Sequence, residues 1–294
     1  MFCVELSKLK FYVAEVLFIL DQTKSADSFH LPAIYQKFTK TATENNISAV
    51  VDSIRFQICL VKTLPSVAIE AQLTSEQSWM LGLDQIGNFV FVFNRPSPER
   101  QLVMQSDFSF GRLFLQEAKS LEKYFPLNTL DIVVFSNWLA NRGELLLHAS
   151  GIAFNGKGYA FVGRSGAGKS TLASKLASRQ DVTILGEDQV ALRYQNGSFW
   201  IYGTPWHLNS NRCSPDGVPL DKIFILDRYS DKVIIPLTPQ DGFKRLMQTA
   251  FIPFYRPMQV SLIMANLERL CSTIPAYQLA FRLGDDILKQ IIDL

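Results

Sequence analysis

Gly163-Arg164-Ser165-Gly166-Ala167-Gly168-Lys169-Ser170-Thr171 decides how the rest of the chain is read. The stretch fits G-x-x-x-x-G-K-[ST], the pattern of a phosphate-binding loop (P-loop, Walker A). Its glycines let the backbone curl so that successive N–H groups point inward at phosphate oxygens. In that geometry Lys169 reaches the β- and γ-phosphates as a point charge. The Ser170 hydroxyl holds Mg²⁺, and the helix that follows adds its positive N-terminal end. The flanks agree. Tyr159-Ala160-Phe161-Val162 reads as a short buried strand, and residues 171–177 read as a helix with Leu172 and Leu176 on one face. Strand, glycine loop, helix is the order that phosphate binding requires. Residues 163–171 are therefore the expected cradle for the phosphates of ATP.

Upstream, residues 145–154 read as an apolar strand, and Asn155-Gly156 as a two-residue hairpin turn into the strand that feeds the loop. His148 is the polar exception in that run. A lone strand histidine is usually a satisfied core residue, but this one lies beside the strand that delivers the phosphates. Downstream, residues 182–185 read as a second buried strand, ending in Gly186-Glu187-Asp188 before Val190-Ala191-Leu192. An acid pair at the end of a buried strand after a phosphate loop is where a metal-binding carboxylate belongs. One acid would help hold Mg²⁺, and the other would accept a proton from an attacking hydroxyl. Which does which is open at this level.

The 294-residue chain as a whole sets the frame. It is 48% hydrophobic and 19% charged, enough apolar sequence for a full core. A net charge of +2, with no Lys/Arg run, gives no support for nucleic-acid binding. Cys3, Cys59, Cys213 and Cys271 are scattered, with no C-x-x-C pair, as expected of reduced thiols in a cytoplasmic protein. Lys8 and Lys10 before the apolar run 11–20 imitate a signal peptide, but Glu15 interrupts the run, and a buried strand is the expectation. No stretch is long and apolar enough to span a bilayer, so no membrane partner is expected.

Residues 1–130 form a strand-rich region, with strands expected over 13–20, 48–61, 88–94 and 101–115 and turn signals at 94–98. Phe89, Phe91 and Phe93 alternate with Val90 and Val92, which fits a strand buried on both faces. His30 reads as a surface residue. Residues 131–294 form the expected phosphate-loop domain. A helix over 130–140 leads in, with Trp138 as core and Gly143 as its C-cap. After the acid pair come strands at 198–202 and 222–226, joined by a polar loop that carries Arg212. That loop either covers the site or is surface. Helices over 243–251 and 258–270, a strand at 277–283 and a helix over 285–292 complete the chain. Arg245 and Arg256 lie there without a motif, as surface arginines by default.

Taken together, Leu147-His148-Ala149, the Asn-Gly hairpin, residues 163–171 and Leu185-Gly186-Glu187-Asp188 resemble the catalytic domain of HPr kinase/phosphorylase. By fold that family belongs with the ATP-using phosphoenolpyruvate carboxykinases. The likeness covers residues 143–228 well and the C-terminal helices loosely. Leu147-His148-Ala149 and Tyr202-Gly203-Thr204-Pro205-Trp206 are closer still to a divergent branch of peptide-modification systems, whose activities include phosphorylation of a lasso-peptide serine. The resemblance implies an α/β phosphate-loop kinase core, with a strand-rich α+β N-terminal region. It implies that Gly163 to Ser170 hold the ATP phosphates and that Ser170 and Glu187 help bind Mg²⁺. Asp188 would take the proton from a serine, and His148 would assist near the transferred group, the two acids remaining exchangeable. Glu187 stands where the family usually has aspartate. Gly203-Thr204-Pro205-Trp206 replaces its glycine-rich signature, and the N-terminal half does not match its regulatory domain. These departures point away from HPr as acceptor and from the reverse phosphorylase activity. The implied partner is a peptide, protein or small molecule with a serine-type hydroxyl, such as a modified-peptide precursor. A homo-oligomer stays open, since HPr kinases assemble as rings. The alternative is a nucleotide-binding partner protein without phosphotransfer.

Overall fold

The computed structural model describes residues 6–23, 30–39, 52–75, 79–93, 99–116, 127, 130–206, 212–227, 234–280, 287–292 and 294. The chain divides into two compact units, Met1–Trp138 and Leu139–Leu294. Both are dominated by large sheets with helices packed on them, a mixed α/β architecture. No helix among the described residues is long and apolar enough to cross a membrane. Cys59, Cys213 and Cys271 are free thiols, and Cys3 lies outside the described residues.

Among the described residues, the first unit holds one sheet of eight strands: β1 (Leu6–Val13), β2 (Val16–Thr23), β3 (Ser53–Val61), β4 (Ala71–Ser75), β5 (Trp79–Leu83), β6 (Phe89–Phe93), β7 (Arg100–Met104) and β8 (Phe110–Gln116). Their order is β1-β2-β3-β8-β7-β6-β5-β4. β3 runs parallel to both of its neighbours. Phe89, Val90 and Phe91 of β6 are buried, while Val92 and Phe93 are half-buried, so two-sided burial holds for the first three residues. Phe18 of β2 packs on Phe135 of the helix Leu130–Ala140, with ring centroids 5.8 Å apart. Trp138, stacked on Phe135, is core as expected.

The apolar run 11–20 differs from its reading. It is not one strand but the hairpin of β1 and β2, with Val13 opposite Val16. Ala14 and Glu15 form the turn at φ 49° and 66°, and Glu15 is exposed. Paired residues at positive φ suit a twisted two-residue turn. Alanine and glutamate carry none of the Asn-Gly signal that announces one, so the sequence hid it. The expected turn at 94–98 and the start of the expected strand at 48–51 lie outside the described residues.

Among the described residues, the second unit holds nine strands: β9 (Leu145–Leu147), β10 (Ala149–Phe154), β11 (Lys157–Val162), β12 (Val182–Gly186), β13 (Val190–Gln195), β14 (Ser198–Gly203), β15 (Gly217–Leu226), β16 (Ile234–Pro236) and β17 (Ala276–Leu279). The order is β12-β10-β11-β15-β14-β13-β9, with β17 paired to β15 and β16 to β17. β15 is longer than the expected 222–226. Its first residues pair with β14, and its last with β11 and β17 in parallel. Along β11 the side chains alternate between two cores. Tyr159 and Phe161 join Leu172, Leu176 and Ile287, whereas Ala160 and Val162 join Ile225, Leu246 and Leu267. Each such buried side chain contributes about 1.5–3 kcal/mol of transfer free energy. The two cores clamp β11 from both faces and so fix the point at which the glycine loop leaves it.

Toward the C-terminus, several elements depart from their expected bounds. The helix read at 243–251 runs over Pro239–Met247. Its start is set by Thr238, whose Oγ1 accepts from Asp241 N at 3.2 Å, and by Pro239 in the first turn. The next helix extends over Pro257–Thr273, and β17 ends at Leu279. Asp285 and Asp286 lie outside the described residues, and the last helix is Ile287–Ile292.

Candidate functional site

The glycine loop leaves β11 at Gly163 and enters the helix Lys169–Leu176 through Gly168. Gly168 has φ 105°, which a side chain would strain, and its carbonyl accepts from Leu172 N at 2.9 Å. Leu172 and Leu176 are buried on one face, as the spacing predicts. That burial turns Ser170 and Thr171 outward, and both are exposed. Lys169 is buried. Its ammonium donates to Gly163 O at 2.7 Å and Arg164 O at 3.3 Å. Burial lowers its pKa, and the Asp188 charge pushes the other way, so Lys169 and Asp188 share one electrostatic environment.

His148 is not inside a strand. It fills the one-residue gap between β9, which pairs with β13, and β10, which pairs with β11 and β12. The sequence reading of one strand over 145–154 is therefore corrected. The chain changes pairing partners at residue 148, because β13 takes up the near half and β11 the far half. Freed from the ladder, the His148 backbone N–H donates to Thr249 O at 2.8 Å. Its Nδ1 lies 3.2 Å from Asp188 Oδ1, with both side chains partly exposed. Gap and acid pair are held to each other by bonds onto the main-chain carbonyls of the acid segment. Ala149 N donates to Asp188 O at 3.1 Å, and Ser150 Oγ to Glu187 O at 2.7 Å. Thr204 Oγ1 donates to Gln189 O at 2.8 Å. Three successive carbonyls, 187 to 189, each have a donor, which fixes the two carboxylates on an otherwise irregular segment.

The acids face different partners. Asp188 meets His148, whereas Glu187 is buried and pairs with Arg212, Nη1 to Oε1 3.2 Å. Arg212 also donates to Ser174 Oγ at 2.6 Å. Ser174 is one turn beyond Ser170 on the same helix face, so Glu187 lies along the face that Ser170 opens. Hard oxygen donors of this kind suit Mg²⁺, which takes one or two protein ligands and completes its shell with phosphate and water. Among the described residues, no group of three or more His, Cys, Asp or Glu could hold a metal by itself.

A cavity of about 450 Å³ opens beside the loop at the carboxyl ends of the parallel strands β11 and β15. Its lining includes residues 163–167 together with Asp227, Arg245, Gln248 and Thr249. In open α/β sheets, ligands enter at the carboxyl ends of parallel strands. Sequence reasoning passed over Asp227 and Gln248 and left Arg245 as surface. Thr238-Pro239 places Arg245 in the last turn of its helix, which was the available signal. Arg256 is buried and donates to Asn141 Oδ1 at 2.7 Å, a structural role. Trp206 is buried, and His30, in the first unit, is exposed.

Against known proteins, residues 117–291 match the family model described as SynChlorMet cassette protein ScmC. No curated protein sequence matches the chain. Among solved structures, the Hpr(Ser) kinase/phosphatase from Coxiella burnetii aligns over 51% of this chain and 87% of its own, at 12% identity and a TM-score of 0.30.

Proposed function

The chain belongs to the family of the SynChlorMet cassette protein ScmC, and from that footing we propose that its second unit is an ATP-dependent kinase of HPr kinase/phosphoenolpyruvate carboxykinase type. It would transfer the γ-phosphoryl group to a serine-type hydroxyl of a peptide, protein or small molecule. One observation carries this reading: His148 and Asp188 meet at 3.2 Å in the electrostatic environment of Lys169, at the start of a helix that follows a glycine loop. That is a base beside a partner for the base, with a phosphate cation that feels the charge of the base.

Residues 163–170 would cradle the phosphates through backbone N–H groups, with Lys169 turning from its carbonyl partners to the γ-phosphate. Asp188 would accept the hydroxyl proton, since it faces the His148 imidazole, whereas Glu187 is paired with the Arg212 guanidinium. His148 would orient Asp188 and stabilise charge on the transferred group. Ser170 and Glu187 would hold Mg²⁺, which neutralises charge on the β- and γ-oxygens. Rate would come from positioning and charge stabilisation. A family named for a cassette fits an acceptor supplied by a companion product, such as a peptide precursor, in the cytoplasm.

The test is incubation with labelled ATP, Mg²⁺ and candidate serine peptides, for wild type and for the Lys169→Ala and Asp188→Asn variants. Label on a serine that both variants lose supports the assignment. Variants as active as wild type would remove it. The Arg212–Glu187 pair favours one second reading, a nucleotide-binding partner protein in which Glu187 never meets a metal. That reading expects nucleotide binding and ATP-dependent partner capture without any labelled acceptor.

A further inference from the structure

The acid that the proposed function gives to the metal already carries a cation. Glu187 has a side chain only 9% exposed, and a buried carboxylate without a partner costs several kcal/mol. Lys169 does not supply that partner, because its ammonium is bonded to the Gly163 and Arg164 carbonyls. His148 is turned to Asp188. Arg212 supplies it, from a side chain that is itself half exposed, and it lies along the Ser170 face of the helix through Ser174.

The position is built and not accidental. Ser214 N, two residues on, donates to Leu185 O at 3.2 Å, and Gly203 N donates to Asp216 O at 3.2 Å. Gly203 lets these segments close: a Cβ there would stand 1.9 Å from Ser214 O and 2.3 Å from Leu185 O. The end of β12, which delivers the acid pair, is thereby tied to the segment that delivers Arg212.

We propose that Arg212 is a positioning residue that holds Glu187 in place of the metal until metal and nucleotide arrive together. This rests on the reading of Glu187 as a magnesium carboxylate. A divalent ion entering alone must displace the guanidinium and leave two cations beside one buried acid. The same ion arriving on a nucleotide brings the phosphate charge that both cations need. Arg212 then leaves Glu187 and turns to the phosphates. The consequence is ordered loading: free metal binds weakly, and metal–nucleotide binds as a unit.

The test uses the full chain with Mn²⁺ as the probe, its free concentration read by electron paramagnetic resonance with and without ADP. Thermal melting is followed in parallel. In Arg212→Gln, Mn²⁺ affinity without ADP is expected to rise about tenfold, within the usual range of coupling between sites. The Mn²⁺-induced rise in melting temperature should grow with it. Arg212→Lys, which keeps a charge on the acid, should stay near wild type and serves as the folded control. Unchanged or weaker Mn²⁺ binding in Arg212→Gln, while Glu187→Gln loses Mn²⁺–ADP binding, overturns this inference and leaves the metal assignment standing. If Glu187→Gln binds Mn²⁺–ADP as wild type does, the metal assignment itself falls, and the inference with it.

Discussion

In the first unit, paired polar groups lie on regular elements. Tyr35 donates to Asp131 on the helix Leu130–Ala140, and Asp21 of β2 pairs with Arg55 on the adjacent β3 at 2.5 Å. In the second unit the polar groups of the candidate site collect where regular pairing stops, although the buried pair Arg193–Glu144 is anchored on β13. His148 sits in the gap between β9 and β10, and Glu187 and Asp188 lie between β12 and β13. A polar side chain on an intact ladder has its backbone already engaged and needs only a neighbour. A polar side chain at a break can be aimed, because backbone groups and loop donors around it set its direction. The lesson is that strand interruptions, more than residue type, separate the candidate chemistry from the scaffolding.

The contrast can be broken most severely at the breaks. Asp188→Asn is expected to lower phosphoryl transfer about 10²–10⁴-fold, as for loss of a general base, while nucleotide affinity measured by fluorescent-nucleotide titration stays near wild type. Lys169→Ala should cost about 10²–10³-fold through lost charge stabilisation, and should also weaken nucleotide binding in the same titration. If either variant lost only stability, the second unit would be scaffold like the first.

Changes to packing come next. Gly203→Ala forces a methyl against two carbonyl oxygens and should destabilise the second unit by about 3 kcal/mol, read as a lower urea midpoint. Leu172→Ala, which removes a fully buried side chain beneath the glycine loop, is expected to cost about 3 kcal/mol. In the first unit Tyr35→Phe should cost about 1–2 kcal/mol by removing the donor to buried Asp131. Arg55→Ala is expected to cost about 1–2 kcal/mol as well, because Asp21, whose side chain is only 12% exposed, is left with Lys8 at 4.0 Å. Neither first-unit variant should change phosphoryl transfer per folded molecule, and a loss there would dissolve the contrast.

Signals that are local in the chain were legible. The strand, glycine loop and helix around residue 168 follow from residues that are neighbours in sequence, as does the Asn155-Gly156 hairpin, where both residues adopt positive φ. The nearness of an acid pair to the loop was legible as well. The turn at Ala14-Glu15 was not, because its residue types do not require it. Nor was the helix start at Thr238, although its cap was present to be read. Arg212 could not be told from a surface arginine, since its partners Ser174 and Glu187 are 38 and 25 residues away.

By itself the sequence determined that a strand, a glycine-rich loop and a helix follow one another around residue 168, and that an acid pair follows a buried strand. Those properties depend on backbone freedom and hydrophobic period over a few residues. Only the tertiary structure decided that the strand breaks at His148, that β15 serves two sets of partners, and that Asp188 faces the imidazole while Glu187 faces a guanidinium. Two adjacent carboxylates have the same local chemistry. What distinguishes them is the direction each side chain takes from the packed backbone, and that direction is set by hydrogen bonds from residues distant in the chain.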